Sequence, residues 1–343
     1  MSMHPLPLAL TMGEPAGIGP ELALDAWLNL RDSGPSFVLF ADPELVTAIA
    51  RNLRRDVPIA VVGSAAEAAS RFRNELPVIP FRLAKTVQPG KPDPANAPAV
   101  IRSIELAVAA ARQGEVGAVV TNPIQKAALY AAGFRHPGHT EFLGEIAGTG
   151  IVPVMMLAGT DLRVVPVTIH VALRDALAAL NADAIVETSQ TVVNALRWDF
   201  GIEAPRIAVA GVNPHAGEGG AMGDEDIRVV APAVERLRQA GIAVVGPMSP
   251  DTMFTARARQ AYDAAICMYH DQALIPLKTL DVDGGVNVTL GLSIVRTSPD
   301  HGTALDIAGR GIADVGSLVA AIRMADMIAG NRLKERQDAQ ARR

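Results

Sequence analysis

The stretch Leu8-Ala9-Leu10-Thr11-Met12-Gly13-Glu14-Pro15-Ala16-Gly17-Ile18-Gly19-Pro20-Glu21-Leu22-Ala23-Leu24 decides the class of fold. The apolar run Pro7–Thr11 predicts a strand, the pattern Pro20–Arg31 predicts a helix, and a glycine-rich loop joins them. An ordinary dinucleotide-binding turn would carry G-x-G-x-x-G at this point, with an acidic residue after the next strand, about where Asp42 stands. The glycines here run G-x-x-x-G-x-G instead, and Pro15 and Pro20 each remove a backbone donor from the loop. Pro20 reads as the first residue of the helix, where its missing N–H costs nothing. The stretch therefore predicts a strand–helix unit of an α/β protein that lacks the usual nucleotide fingerprint.

Working outward, the same alternation recurs. Strands are expected at Phe37–Ala41, Ile59–Val62, Ala118–Thr121, Val154–Leu157, Val164–Ile169, Ile207–Ala210, Ile242–Val245 and Ala264–Met268. Helices are expected at Pro98–Gln113, Ala176–Leu196 and Asp226–Gln239. Strands separated by helices imply a mainly parallel sheet. Val87–Ala97 is rich in proline and reads as a loop, and Asn331–Arg343 reads as a solvated helix extension or frayed tail.

At 343 residues the chain suits two domains, and 49% hydrophobic with 20% charged residues describes a folded protein. A net charge of −5 gives no basic footprint for nucleic acid or an anionic membrane, so an anionic substrate would need a local basic pocket. One cysteine, Cys267, makes no internal disulfide and suits a reducing compartment. No signal-peptide pattern opens the chain and no apolar run is long enough to span a bilayer, so a cytoplasmic location is expected.

Four polar clusters stand out against this background. Besides Gly13–Glu21, they are Thr121–Lys126 with Gly138–Phe142, three strand-end histidines, and Lys278–Asp306. Thr121-Asn122 and His139-Thr140 place donors where α/β sheets bind anions, although Thr140 reads equally as a helix cap. His170, His215 and His270 each follow an apolar strand, 45 and 55 residues apart. Singly, each reads as a structural histidine. Three strands of one parallel sheet could nevertheless bring them together, and three imidazoles suit zinc or a similar divalent ion. Lys278, Asn287 and Arg296 could hold a phosphate and a carboxylate, or be solvated charges on a surface loop. Cys267 reads as a small buried hydrophobe.

Taken together, GEPAGIGPE (Gly13–Glu21), TNPIQK (Thr121–Lys126), GHTEF (Gly138–Phe142), GVNPHAGE (Gly211–Glu218), SPDT (Ser249–Thr252), YHDQ (Tyr269–Gln272) and GVNVTLGL (Gly285–Leu292) resemble the 4-hydroxythreonine-4-phosphate dehydrogenase family of pyridoxal phosphate biosynthesis. The resemblance runs from Leu8 to about Ala329. It implies an isocitrate/isopropylmalate dehydrogenase-like α/β fold, with two α/β domains and a cleft between them. The first domain would comprise residues 1–140 with 290–343, and the second residues 141–289. It also implies metal ligation by His170, His215 and His270, with zinc, magnesium or cobalt as the ion. Substrate contacts would come from His139, Thr140, Asp251, Lys278, Asn287 and Arg296, and Asp271 or Lys278 would move the proton. The segment His301-Gly302-Thr303-Ala304, with Asp306, resembles an adenosine-binding loop and implies NAD or NADP as cofactor.

The implied reaction oxidises 4-phosphooxy-L-threonine to a 3-keto acid that decarboxylates to 3-amino-2-oxopropyl phosphate. The implied assembly is a homodimer with shared active sites, His170 and His215 coming from one chain and His270 from the other. Within the family the alternatives are an erythronate or threonate 4-phosphate dehydrogenase and a cis-dihydrodiol dehydrogenase. An acyltransferase or a sugar-phosphate-binding protein on the same fold is a more distant alternative.

Overall fold

The computed structural model describes residues 6–136, 139–148, 152–281 and 284–341. Among these, twelve strands follow one another: β1 (Leu8–Thr11), β2 (Phe37–Ala41), β3 (Ile59–Val61), β4 (Leu76–Pro80), β5 (Val119–Val120), β6 (Val154–Ala158), β7 (Arg163–Pro166), β8 (Arg206–Ala210), β9 (Ala243–Met248), β10 (Ala264–Cys267), β11 (Val286–Leu290) and β12 (Arg296–Pro299). The chain divides into two compact units, Met1–Pro153 with Leu292–Gly330 and Val154–Gly291 with Asn331–Arg343.

In the first unit the strand order is β3-β4-β2-β1-β5-β12, parallel throughout. Every residue of β1 and β2 is buried, because helices cover both faces of a parallel sheet and its strands become continuous apolar runs. Ala9, Val38, Phe40, Ile104, Val108 and Phe142 share one core cluster. Trp27 is fully buried and donates its indole N–H to the Phe72 carbonyl, so its size is used without leaving a donor unpaired. Asp42, standing where a ribose-binding acid would belong, instead caps the helix Pro43–Asn52 by accepting from the Glu44 amide, and accepts a second bond from Leu83.

The second unit has the order β11-β6-β7-β10-β8-β9. β6 runs antiparallel to both β11 and β7, whereas β7, β10, β8 and β9 are parallel. Its core gathers Leu157, Val164, Ala208, Ala265, Cys267 and Leu277. Parallel strands end at one edge of their sheet, so the segments after β7, β10 and β8 emerge side by side. They carry His170, His270 and His215 respectively.

Three strands escaped the sequence pattern. Prolines at Pro77 and Pro80 disguise β4, polar residues at alternate positions disguise β11, and the polar run Arg296-Thr297-Ser298 disguises β12. The helix expected over Ala176–Leu196 is two helices, Leu173–Ala179 and Ala182–Trp198, broken where Asn181 caps the second through the Ala184 amide. The tail is held as well. Arg332 forms a two-pronged ion pair with the buried Asp199, at 2.6 and 3.0 Å, which assigns residues from Asn331 onward to the second unit. No helix among the described residues is long and apolar enough to cross a membrane.

Candidate active site

The site is best built from the ends of β7 and β10. β10 continues to Met268, whose carbonyl accepts from the Thr168 hydroxyl at 2.8 Å and so ties the two strand ends together. Beyond this tie stand His170 and His270, their ring centroids 5.6 Å apart. With Thr168, Ile169, Tyr269 and Asp271 they line a pocket of about 220 Å³. His270 opens the helix His270–Leu280, and its Nδ1 lies 2.8 Å from Asp271 Oδ1. A carboxylate at Nδ1 orients the imidazole ring and turns Nε2 outward toward a ligand. Further along the same helix, His270, Asp271, Leu274, Ile275 and Lys278 line an open groove.

His215 sits in an unusual turn. His215, Ala216, Gly217, Glu218 and Gly219 all have positive φ, between 43° and 81°. Left-handed backbone costs roughly 1–2 kcal/mol per non-glycine residue, and three of these five are not glycine. His170, too, has positive φ, at 22°. Backbone held in such regions concentrates where function requires it. His215 Nδ1 lies 3.9 Å from Asp251 Oδ2, too far for a hydrogen bond.

The donors suit a divalent ion, since imidazoles with a carboxylate behind one of them are ordinary ligands for such ions. Among the described residues, however, no three His, Cys, Asp or Glu side chains converge within the chain. The single chain supplies the pair His170–His270 and holds His215 apart from it.

The other candidate residues divide between the units. Asn287 lies in β11 of the second unit, and its Oδ1 is buried with no hydrogen-bond partner among the described residues. Such an orphaned acceptor suits a ligand donor. Arg296 lies in β12 of the first unit, 4% exposed, and burial pushes its guanidinium down to about 10. His139 and Thr140 open the helix His139–Ala147, but their side chains lie outside the described residues. Thr121 and Asn122, expected as anion donors, are used internally. Thr121 accepts from Arg296, and Asn122 Nδ2 donates to the Thr11 carbonyl.

The loop His301–Asp306 also belongs to the first unit. Its Thr303 carbonyl accepts from the Ile18 amide, and a Cβ at Gly17 would meet that oxygen at 2.8 Å. Gly17 of GEPAGIGPE therefore admits this loop by close approach, while Gly13 and Gly19 lie against Asn122. Buried Glu21 of the same motif accepts from the Gly309 amide at 2.8 Å. His301 Nε2 is buried without a hydrogen-bond partner among the described residues, and the space around Gly302 is open. Asp306 is exposed on the following turn. An orphaned imidazole nitrogen and accessible backbone suit a polar ligand such as a dinucleotide.

Sequence reasoning passed over Asp226. This buried carboxylate accepts from the Val212 and Asn213 amides at 2.7 and 3.0 Å. It lies in the segment read only as the start of a helix, where the single anomaly was an acid later found 1% exposed.

Comparison with known proteins fits this architecture. The family described as pyridoxal phosphate biosynthetic protein PdxA matches residues 34–325. A 4-hydroxythreonine-4-phosphate dehydrogenase of Bradyrhizobium diazoefficiens is 53% identical over 94% of this chain and 97% of its own. One from Caulobacter vibrioides is 51% identical over 95% and 98%. A solved 4-hydroxythreonine-4-phosphate dehydrogenase from Klebsiella pneumoniae superposes with a TM-score of 0.84 at 39% identity, covering 94% of this chain and 99% of that one. These likenesses place the protein among the dehydrogenases. More narrowly, the chain belongs to the PdxA family, whose relatives carry the name 4-hydroxythreonine-4-phosphate dehydrogenase.

Proposed function

We propose that the protein oxidises the C3 hydroxyl of 4-phosphooxy-L-threonine with NAD or NADP, in pyridoxal phosphate biosynthesis. The C3 hydrogen leaves as hydride and the hydroxyl proton leaves to a base. The resulting 3-keto acid loses its carboxylate as carbon dioxide, and the enolate takes up a proton to give 3-amino-2-oxopropyl phosphate. The observation that carries this reading is the His170–His270 pair, 5.6 Å apart beside Asp271 in a strand-end pocket of a chain belonging to this family.

The residues take the following roles. His170, His270 and His215 would hold a divalent ion, which when bound supplies Lewis acidity toward the hydroxyl and its oxyanion. Asp271 orients the His270 ring through Nδ1. Asp271 or Lys278, which line one groove, would take the hydroxyl proton, and Lys278 would also offer a cation to the phosphate. His139, Thr140, Asp251, Asn287 and Arg296 complete the substrate contacts. His301–Ala304 and Asp306 hold the dinucleotide, which when bound supplies the hydride acceptor. Among the described residues no three ligand side chains converge within one chain, which supports a two-fold dimer in which a second copy would complete each site.

Absorbance of the reduced nicotinamide, followed with each candidate substrate, tests the reading. Signal with 4-phosphooxy-L-threonine, lost on chelation and restored by divalent metal, is expected. Turnover only with erythronate 4-phosphate or a cis-dihydrodiol would overturn it.

A further inference from the structure

The left-handed turn that presents His215 has five consecutive positive φ values, a backbone that L-residues avoid. Bonds within it run from the Ala216 amide to the Asn213 carbonyl and from the Met222 amide to the Gly217 carbonyl, and contacts from outside also fix its geometry. Two buried polar side chains do so from the entry side, at Gly211 to Asn213. Asp226 accepts three hydrogen bonds, from the Val212 amide, the Asn213 amide and Asn213 Nδ2, at 2.7, 3.0 and 3.1 Å. Gln272 donates its Nε2 to the Gly211 carbonyl at 2.7 Å, while its Oε1 accepts from the Met268 amide at 2.6 Å. Met268 lies two residues before His270, and Gly211 lies four before His215. A single buried amide thus spans the two histidine-bearing loops. The packing leaves no slack, for a Cβ on Gly211 would meet Ala216 Cβ at 2.8 Å and Asp226 Oδ1 at 2.9 Å.

We infer that Asp226 and Gln272 are positioning residues: they hold the entry to the left-handed turn so that the His215 imidazole is presented at a fixed place. The inference rests on the reading that His215 is a ligand for a divalent ion. It goes further by making that ligand's competence depend on a carboxylate and an amide that never touch the ion. The physical case is that a strained turn relaxes unless its entry is over-determined. Asp226, itself buried, supplies three acceptor contacts there, and Gln272 adds a fourth tie whose two hydrogen bonds are buried.

The test is cobalt(II) titration of the full-length protein, read by visible absorption, alongside thermal unfolding. Asp226→Asn presents an amide N–H toward a backbone N–H and breaks the acceptor set. Gln272→Glu keeps an acceptor for Met268 but places an oxygen against the Gly211 carbonyl. Each folded variant should bind cobalt about 10–100-fold more weakly than the parent. In a His215→Ala background the same substitutions should change cobalt affinity by less than about twofold, because the group they position is gone. Unchanged cobalt affinity in a folded variant overturns the inference. So does an equal loss with and without His215, which would show the two residues acting on the fold and not through that imidazole. Should Asp226→Asn fail to fold, Gln272→Glu decides by the same pair of measurements. Should the parent itself bind no cobalt, the metal reading falls, and this inference falls with it.

Discussion

Arg296 donates two hydrogen bonds to the Thr121 hydroxyl, from Nε at 3.1 Å and from a terminal nitrogen at 2.6 Å. The contact joins β12 to the end of β5 within the first unit, with Thr121 1% and Arg296 4% exposed. A residue that the family resemblance assigns to substrate binding is therefore also part of the sheet's interior. Lys278, by contrast, lies on an open groove.

The two cations should accordingly fail differently. Arg296→Ala should lower stability by about 1.5–3 kcal/mol through the charge-assisted bonds alone, as well as weakening substrate binding. Lys278→Ala, at an exposed position, should cost less stability than Arg296→Ala and raise the Michaelis constant for the phosphorylated substrate roughly tenfold or more. Equal stability losses in the two variants would contradict this division.

Asp306→Ala should raise the apparent Michaelis constant for the dinucleotide while metal content stays at the parent level. The carboxylate is exposed on the turn after His301–Ala304, in the first unit, whereas the three histidines belong to the second. A change confined to the constant for the phosphorylated substrate would remove the loop from the cofactor's site.

Burial raises the Glu14 carboxyl above its ordinary 4.5, only partly offset by the bond it accepts from the Ala16 amide. Between 4.5 and the raised folded value, the folded chain holds more protons than the unfolded one. Stability therefore falls as pH rises through that window, and stays lowered above it. Glu14→Gln keeps an acceptor for Ala16 and removes the titration. Its gain in Tm over the parent should be larger at pH 8 than at pH 4.5, and a gain independent of pH would refute the assignment.

Shared sites can be tested by refolding inactive variants together in pairs. If two histidines of each site come from one chain and the third from its partner, two of the three mixtures among His170→Ala, His215→Ala and His270→Ala should recover activity. Random pairing makes about half the dimers mixed with one intact site each, so roughly a quarter of parental activity should return. The 5.6 Å spacing of His170 and His270 within one chain singles out their mixture as the one that stays dead. The pairing that the resemblance implied, His170 with His215, would instead leave their mixture dead. No recovery in any mixture, with mixed dimers shown to be present, would exclude sharing.

The sequence by itself determined the class of fold, because apolar runs of strand length between helical periods leave a parallel sheet few alternatives. It also determined the family, since seven motifs spread over nearly the whole chain specify more than any one of them, and it located the three strand-end histidines. Tertiary structure alone decided which of those groups meet. His170 and His270 are a hundred residues apart in sequence and become neighbours because β7 pairs with β10. Asp42, Thr121 and Asn122 looked like ligand donors in sequence. Folding consumed them in a helix cap and in bonds to Arg296 and Thr11, since a polar group buried by packing must find a partner nearby. The roles of Asp226, read only as a helix start, and of Gln272, read only as the end of the YHDQ motif, escaped the sequence for the converse reason. Their importance lies in hydrogen bonds to backbone from distant segments, and a backbone amide carries no residue-specific mark in sequence.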